Sequence, residues 1–369
     1  MKKRILFMLA YMNIGGTERS FLNLLQTMSL DEYDVTVLLL EDKGGYMNDI
    51  PSRVKIHVLD DYQSIGPEIM DPPLVVARNR LKSGRIMNAF GLTEKHIIYK
   101  LTGDRTAYYH YILSAVKSIP GEYDTAVAYA GPMDFITVYI LEKVHAKRKI
   151  QWIHFDVSQS NFNVKFAKRN YPKFDHVFVV SDAAREQLLK KVPEIASITE
   201  TRHNIVSREQ CLKEAEKGQG FTDEFSGMRI LTVGRLSREK GQEIIPEVAY
   251  KLKESGYQFR WYLIGSGKTE TMIREKIAEC HLEDTVILLG TIKNPFPYYA
   301  QCDIYVQTSL HEGYCITLAE AQVFDKPIVS TDVAGARDLL HNYPKERITQ
   351  YNADQLFEEI KEIIDRESV

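Results

Sequence analysis

The chain alternates short apolar runs with glycine turns and helical stretches, and this alternation limits the fold more than any other feature. The first run, Ile5 to Leu9, is continuously apolar, as expected for a strand buried on both faces of a parallel sheet. The turn Gly15-Gly16 follows, then apolar residues at helical spacing, and then a second run, Val35 to Leu40. A strand, turn, helix and strand in this order predict a right-handed crossover and a parallel sheet.

The same alternation starts again in the second half. Between the halves, Ser207 to Gly227 is polar and rich in Lys, Glu and Gly, which favours a linker. We therefore expect an α/β fold of two Rossmann-like, doubly wound domains facing across a cleft. The expected division is an N-terminal domain of residues 1–206, a linker of 207–227, a C-terminal domain of 228–345 and a helical tail of 346–369.

Composition excludes several classes of protein. The chain has 369 residues, 44% hydrophobic and 26% charged, with a net charge of −3, so it is globular and no nucleic-acid partner is expected. Its four scattered cysteines predict reduced thiols in a cytoplasmic protein. The N-terminal apolar run lacks a cleavage site and is interpreted as a strand rather than a signal peptide. No run reaches the roughly 20 apolar residues of a membrane span.

One segment is locally basic. Residues 78–105 contain seven Lys or Arg residues against Glu94 and Asp104, interleaved with apolar side chains. Two interpretations stay open. The segment could rest on an anionic membrane, making the protein peripheral on the inner face, or hold an anionic acceptor. It could equally be a solvated helix face whose apolar side belongs to the core.

Two features of the first half are candidate ligand contacts. Gly15 and Gly16 precede a helix, so backbone can approach a ligand and the helix N-terminus can meet an anion, although a tight turn alone would explain them. His154 stands at the end of a predicted strand, where a side chain can face a cleft. A purely structural histidine is the alternative.

The stronger candidates lie in the second half, at the ends of successive strands. Arg235 and Lys240 bracket a loop and can bind phosphate oxygens. Glu312 and Glu320 flank a helix predicted to begin near Thr317, whose N-terminus also favours an anion. These cations and the helix could neutralise a diphosphate without a metal. The chain has no Asp-x-Asp and no Walker pattern, so we expect no metal or other cofactor and no P-loop ATPase.

Each of these residues also has a structural explanation. Thr317 to Glu320 fits a capping box, in which the glutamate only satisfies backbone donors. Glu312, Arg235 and Lys240 could be solvated loop charges. The ligand-binding interpretation rests on their joint position at strand ends.

These motifs resemble those of the retaining GT-B glycosyltransferases, most closely family 4 transferases of bacterial capsule and exopolysaccharide assembly. The pair Glu312 and Glu320 is similar to the family's E-x7-E signature, and 234–241 is similar to its G-R-L-x-x-x-K-G loop. Residues 326–335 resemble the following strand and loop. The turn Gly15-Gly16-Thr17-Glu18 resembles the family's G-G-x-E turn, and Val180-Ser181-Asp182 its V-S-x segment. The resemblance spans residues 4 to about 340.

The resemblance implies that residues 1–206 are the acceptor-side domain and residues 228–345 the nucleotide-sugar-binding domain. It also implies a role for each residue. Arg235 and Lys240 would bind the donor diphosphate and stabilise the leaving group, and Glu320 would bind the ribose. Glu312 would contact sugar hydroxyls, and His154 would lie near the sugar. Donor-binding backbone or loop residues would be Gly15, Gly16, Gly313, Cys315, Ile316 and Thr317.

The chain departs from the family pattern at two positions. Cys315 stands where the family usually has Gly, and Ile205 replaces the Gly of an N-G pair. The family's C-terminal helix crosses back to the first domain, and whether the tail does so here is open.

The implied activity is transfer of a hexose-type sugar, with a UDP-sugar favoured, to a glycan or lipid-linked hydroxyl in surface polysaccharide synthesis. Catalysis is expected from Glu312, His154, Arg235 and Lys240. A non-catalytic sugar-nucleotide-binding subunit and a GT-B nucleotide-sugar epimerase are the alternatives.

Overall fold

The computed structural model describes residues 2–71, 73–82, 86–155, 157 and 162–367. The chain forms two compact units. The first comprises the described residues of Met1–Asn13 and Leu24–His203, and the second those of Ile14–Asn23 and Asn204–Val369. Each unit contains its own parallel sheet.

The first unit is built on a seven-stranded sheet in the order β3-β2-β1-β4-β5-β6-β7. The chain begins in the middle, moves to one edge and then crosses to the other side, which is the doubly wound pattern. The strands are β1 (Lys3–Leu9), β2 (Tyr33–Leu39), β3 (Lys55–Val58), β4 (Glu122–Gly131), β5 (His145–Ile153), β6 (His176–Val179) and β7 (Thr199–Thr201). The helices of this half are α1 (Gly16–Thr27), α2 (Tyr62–Met70), α3 (Pro73–Lys82), α4 (Ile86–Thr102), α5 (Thr106–Leu113), α6 (Asp134–Lys143), α7 (Val164–Asn170) and α8 (Asp182–Lys191).

The second unit repeats this plan with a six-stranded sheet in the order β10-β9-β8-β11-β12-β13. Its strands are β8 (Met228–Val233), β9 (Phe259–Ile264), β10 (Val286–Gly290), β11 (Ile304–Gln307), β12 (Ile328–Thr331) and β13 (Glu346–Thr349). Its helices are α9 (Arg208–Ala215), α10 (Ile245–Glu254), α11 (Glu270–Glu279), α12 (Phe296–Gln301), α13 (Ile316–Val323), α14 (Ala334–Leu340) and α15 (Ala353–Glu367).

The second sheet is buried on both faces, which explains why its strands are continuously apolar. Alternate residues enter two separate clusters: Trp261 and Leu263 pack on one face, and Tyr262 and Ile264 on the other. The indole of Trp261 donates to the hydroxyl of Thr232 at 3.0 Å, so its polar atom is satisfied in the core. The predicted α/β class is confirmed.

The predicted linker of 207–227 differs from the structure. It contains α9, which packs against α12 and α13 with Cys211 buried in the second unit's core. The guanidinium of Arg208 donates to the carbonyl of Val323 at 2.8 Å. Farther along the same stretch, Asp223 accepts from Arg229 at 3.1 Å. The polar composition reflected the exposed face of a short helix, not a free connection.

The expected tail of 346–369 also has a different role. Its first residues form β13, the edge strand of the second sheet, and α15 packs on α10. Leu356 and Ile360 of α15 are fully buried in that core. The segment therefore completes the second unit, whose core buries the apolar face of α15.

The basic segment of 78–105 lies on α3, α4 and the turn after them, except Ser83, Gly84 and Arg85, which are outside the described residues. One of its cations belongs to the packed interior, because Arg80 forms an ion pair with the buried Glu68. Others, such as Lys100, are exposed. No helix among the described residues is long and apolar enough to cross a bilayer.

We predict that Ile360→Ala destabilises the second unit by about 2–5 kcal/mol, because it leaves a cavity under a fully buried side chain. The chain has two tryptophans, Trp152 in the first unit and Trp261 in the second. In a Trp152→Phe background, Trp261 fluorescence during urea unfolding therefore reports on the second unit. Leu212→Ala, at a 39% exposed position of the same unit, is the control and should cost less than about 1 kcal/mol. Equal shifts for both variants would contradict the packing of α15.

Candidate functional site

Two loops meet at the carboxyl edge of the second sheet. One follows β8 and contains Arg235 and Lys240, and the other follows β11 and leads to α13. The hydroxyl of Thr308 donates to the Lys240 carbonyl at 3.0 Å. Gly241 turns the first loop at φ +62°, and a Cβ there would lie 2.3 Å from the carbonyl oxygen of Thr308. Glycine is thus required for the two loops to approach this closely.

The approach of the loops brings Lys240 and Glu312 into an ion pair. Their side chains are only 21% and 11% exposed. The same carboxylate oxygen accepts from the hydroxyl of Ser309 at 2.7 Å and from the amide of Gln307 at 3.4 Å. The carboxylate of Glu312 is therefore held in place by several donors and is not a solvated loop charge.

Arg235 is held differently. Its side chain is 60% exposed and meets Glu239 at 3.4 Å, an exposed ion pair that contributes little to stability. Its backbone is fixed, because the side-chain amide of Gln242 donates to the Arg235 carbonyl at 2.9 Å. The guanidinium is thus anchored at its base and open to an incoming anion.

The helix α13 begins at Ile316, close to the predicted start at Thr317. The capping-box alternative is wrong, because the cap is Cys315 and no side chain caps the helix. Thr317 instead donates its hydroxyl to the side-chain oxygen of Gln307 at 2.9 Å. The first turn of a helix has N–H groups without intrahelical partners, so this end of α13 favours an anionic group.

The backbone of Cys315 shows why the family usually has Gly at this position. It adopts a left-handed conformation, with φ 63° and ψ 56°, which suits glycine and strains other residues. Its side chain is 3% exposed and packs in the core beside α14. Burial raises the pKa of the thiol well above its usual value, so the group stays protonated. It is a packing residue rather than a nucleophile.

Glu320 lies on α13 and is 4% exposed. Burial raises the pKa of its carboxyl, and Arg19 and a hydrogen bond from Tyr299 oppose that shift. The Tyr299 hydroxyl is 3.3 Å from one carboxylate oxygen, and Arg19 is 3.7 Å from the other. Sequence reasoning missed Arg19, because nothing in the N-terminal turn indicates a partner so distant along the chain.

Gly15 and Gly16 belong to the second unit, and Gly16 lies close to the start of α13. A Cβ on Gly16 would be 3.3 Å from the side chain of Ile316. Next to them, burial raises the pKa of Glu18 to about 7, although its own backbone and the charge of Arg235 act in the opposite direction. The glycine turn is therefore a neighbour of the candidate anion site.

His154 lies in the first unit, just after β5. It packs against the rings of Tyr129 at 4.4 Å and Trp152 at 5.8 Å. Burial lowers the pKa of His154 to about 3, which the backbone of Tyr129 opposes only in part. Neither ring nitrogen makes a well-formed hydrogen bond with the described residues. The imidazole is neutral near physiological pH. Asp156, two residues after His154, is outside the described residues.

In the part of the chain that the structure describes, no group of three or more His, Cys, Asp or Glu side chains is placed to hold a metal ion.

Comparisons with known proteins indicate what the chain is similar to. Residues 226–368 match the family described as "Glycosyl transferases group 1". A Campylobacter jejuni N-acetylgalactosamine-N,N'-diacetylbacillosaminyl-diphospho-undecaprenol 4-alpha-N-acetylgalactosaminyltransferase is 29% identical over 170 residues, 46% of this chain and 45% of that protein. The amylovoran biosynthesis glycosyltransferase AmsK of Erwinia amylovora is 35% identical over 127 residues, 31% of this chain and 30% of its own. The match thus spans less than half the length of these curated relatives.

Solved structures show likeness over nearly the whole chain. Anabaena HepE, solved with UDP and glucose, has a TM-score of 0.69 at 18% identity, covering 99% of this chain and 90% of HepE. A mutant of S. aureus TarM, solved with Fondaparinux, alpha-GlcNAc-glycerol and UDP, also has a TM-score of 0.69, at 15% identity, covering 98% of this chain and 93% of TarM.

These findings define the class of protein as one with a GT-B fold, and the expected resemblance to GT-B glycosyltransferases is confirmed. Within that fold, the similarity to the glycosyl transferases group 1 family extends over residues 226–368.

We predict that Cys315→Gly is more stable than Cys315→Ala by about 1 kcal/mol, because both lose the thiol but only Gly relieves the left-handed strain. At the buried Cys302, whose φ is −73°, the order should reverse: there Gly should be less stable than Ala by about 0.4–1 kcal/mol. Urea unfolding of the four variants measures both differences. The same order at both positions would contradict the backbone assignment.

Proposed function

We propose that the protein is a retaining, metal-independent glycosyltransferase of family 4. It would move a hexose-type sugar from a nucleotide-diphosphate donor, with a UDP-sugar favoured, to a hydroxyl of a glycan or lipid-linked acceptor in surface polysaccharide synthesis. The observation that carries this proposal is the shielded pair of Lys240 and Glu312 at the start of α13, with the open guanidinium of Arg235 on the same loop.

The charges of this site suit a sugar diphosphate. Arg235 and Lys240 supply cations and α13 supplies a helix N-terminus, so the diphosphate can be neutralised by the chain itself. When the donor binds, its phosphate would compete with Glu312 for the Lys240 ammonium, and the freed carboxylate oxygens would accept from sugar hydroxyls. Glu320 would accept from the ribose hydroxyls.

The chemical step would be a front-side displacement through an oxocarbenium-like state. The sugar–phosphate bond breaks, and the acceptor oxygen bonds to the anomeric carbon from the same face. The proton of the acceptor hydroxyl passes to the leaving phosphate oxygen. Arg235 and Lys240 would stabilise the charge that develops on the leaving phosphate oxygens, because they are already in place before the bond breaks. His154 belongs to the first unit and is neutral at working pH, and its role near the sugar stays a prediction from the family resemblance.

Names of the similar proteins support the choice of substrates. HepE was solved with UDP and glucose and TarM with UDP, which favours a UDP-sugar for this chain. The Campylobacter relative is named for a diphospho-undecaprenol acceptor, and AmsK for amylovoran biosynthesis. We therefore place a lipid-linked or growing surface glycan first among acceptors.

The test is a panel of UDP-, GDP- and ADP-sugars with lipid-diphosphate and glycan acceptors, with the product linkage determined by NMR. The proposal expects an anomeric configuration equal to that of the donor, and turnover that persists in EDTA. Inversion would refute the retaining assignment, and loss of turnover in EDTA would refute metal independence. Conversion of the donor without an acceptor would identify an epimerase.

We predict that Lys240→Ala lowers kcat by roughly 10²–10³-fold, because it removes a preorganised cation from the leaving phosphate. Lys268→Ala is the matched control, since Lys268 is an exposed lysine on the loop after β9 of the same sheet. Steady-state rates with a saturating donor make the comparison, and thermal unfolding checks that both variants are folded. Similar losses for both lysines would show that Lys240 is not in the phosphate site.

We also propose that α4 rests on an anionic membrane surface. Phe90, Ile97 and Leu101 are 67%, 53% and 81% exposed, and their helical spacing puts them on one face of α4. The cations Lys82 and Lys100 are exposed on α3 and α4. Apolar side chains flanked by cations suit the interface of an anionic bilayer.

We expect the protein to float with vesicles that contain phosphatidylglycerol but not with pure phosphatidylcholine vesicles, and binding should weaken between about 0.05 M and about 0.5 M salt. Leu101→Ser should reduce binding, since it removes the most exposed of the three apolar side chains. Val58→Ser, at a 36% exposed residue of β3, should not. Binding that is absent or indifferent to salt would count against this surface.

A further inference from the structure

One face of α1 is polar and yet buried. Ser20 and Asn23 are 2% and 8% exposed, and with Gly16 and Arg19 they recur at the spacing of a single helix face. The Ser20 hydroxyl is 2.6 Å from the side-chain oxygen of Asn204, and the Asn23 amide donates to the carbonyl of Ile205 at 2.8 Å. These bonds fix the first turns of α1 within the second unit.

Arg19 is the charged member of this face. Its guanidinium carbon lies 4.8 Å from the ring centroid of Phe296, and its Nε is 3.7 Å from the Glu320 carboxylate. The side chains of Arg19 and Glu320 are only 17% and 5% exposed. The Arg19 guanidinium is thus positioned by the ring of Phe296, by the shielded Glu320 carboxylate and by the hydrogen bonds that hold α1.

The surroundings of Glu320 make this partner important. Among the described residues, the titratable groups that interact electrostatically with the Glu320 carboxyl are Arg19 on α1, Tyr299 on α12, Cys211 on α9 and Tyr305 on β11. Burial raises the pKa of the phenols and of the thiol, so all three are neutral near physiological pH. Arg19 is the one charged group among them. An ionised carboxylate accepts hydrogen bonds on both oxygens, and more strongly than the protonated group, in which one oxygen becomes a donor.

We infer that Arg19 is a positioning residue for the nucleoside half of the donor, because it holds the Glu320 carboxylate as an anion at the place where ribose hydroxyls would donate to it. This inference rests on the proposed function. Arg19 acts through Glu320, and the α1 face keeps it there.

The experiment measures binding of UDP and of 2′,3′-dideoxy-UDP by calorimetry between about pH 6 and about pH 8.5. Wild type should prefer UDP. Arg19→Met should weaken UDP binding by at least about tenfold near neutral pH while changing dideoxy-UDP binding little. The deficit should shrink as the pH rises, since loss of the guanidinium raises the pKa of Glu320 and a higher pH restores the anion. Arg19→Lys should retain part of the affinity.

A double-mutant cycle separates positioning from a general structural role. In a Glu320→Gln background, Arg19→Met should change UDP affinity by less than about twofold, because no anion is left to hold. Arg53→Met, which breaks an exposed pair with Asp31 in the first unit, is the control and should bind like wild type.

Three results would overturn the inference: a UDP deficit that does not vary with pH, an equal deficit with dideoxy-UDP, or an equal deficit in the Glu320→Gln background. If wild type binds none of UDP, GDP and ADP, it is the proposed function that fails. If wild type binds UDP and Arg19→Met binds equally well, the inference alone fails.

Discussion

The ammonium of Lys240 and the carboxylate of Glu312 lie together at the carboxyl edge of the second sheet, and both are largely shielded from water. Taking each charge out of water costs several kcal/mol, and removing one partner would leave the other uncompensated. The loops after β8 and β11 must therefore keep their relative place. Gly241 and the hydrogen bond from Thr308 to the Lys240 carbonyl hold the two loops together. The loop after β11 leads directly into α13, so the position of this loop also sets the start of the helix.

The two glutamates of the candidate site have different surroundings, which is a reason to assign them different roles. Glu312 is bound by an ammonium and a hydroxyl, which fix the position of its carboxylate. Glu320 is more deeply buried, and its one charged partner among the described residues is Arg19. Neither environment resembles that of the acid or the base in the catalytic carboxylate pair of a glycoside hydrolase. Adjacent cations favour a diphosphate leaving group instead.

Much of the fold could be predicted from the sequence, because buried parallel strands are continuous apolar runs and glycines stand at their ends. The errors have a common physical origin. The helix α9 has one buried side chain, Cys211, among polar ones, and so looks like a linker. The strand β13 (Glu346–Thr349) is a partly exposed edge strand, and its polar residues give no apolar run from which a strand could be predicted. Short elements that bury only one or two side chains leave too weak a pattern to detect.

The site shows the same limit at the level of single residues. Motif spacing indicated Glu312, Glu320, Arg235 and Lys240, because local sequence order places them on neighbouring loops. It also allowed a capping box at Thr317, since spacing cannot show where a side chain finds its partner. The partner of Glu320 comes from α1, near the other end of the chain, and only the three-dimensional structure joins them. A buried carboxylate needs such a partner to stay charged, so the signature pair alone does not define the site: Arg19 has to be counted with it.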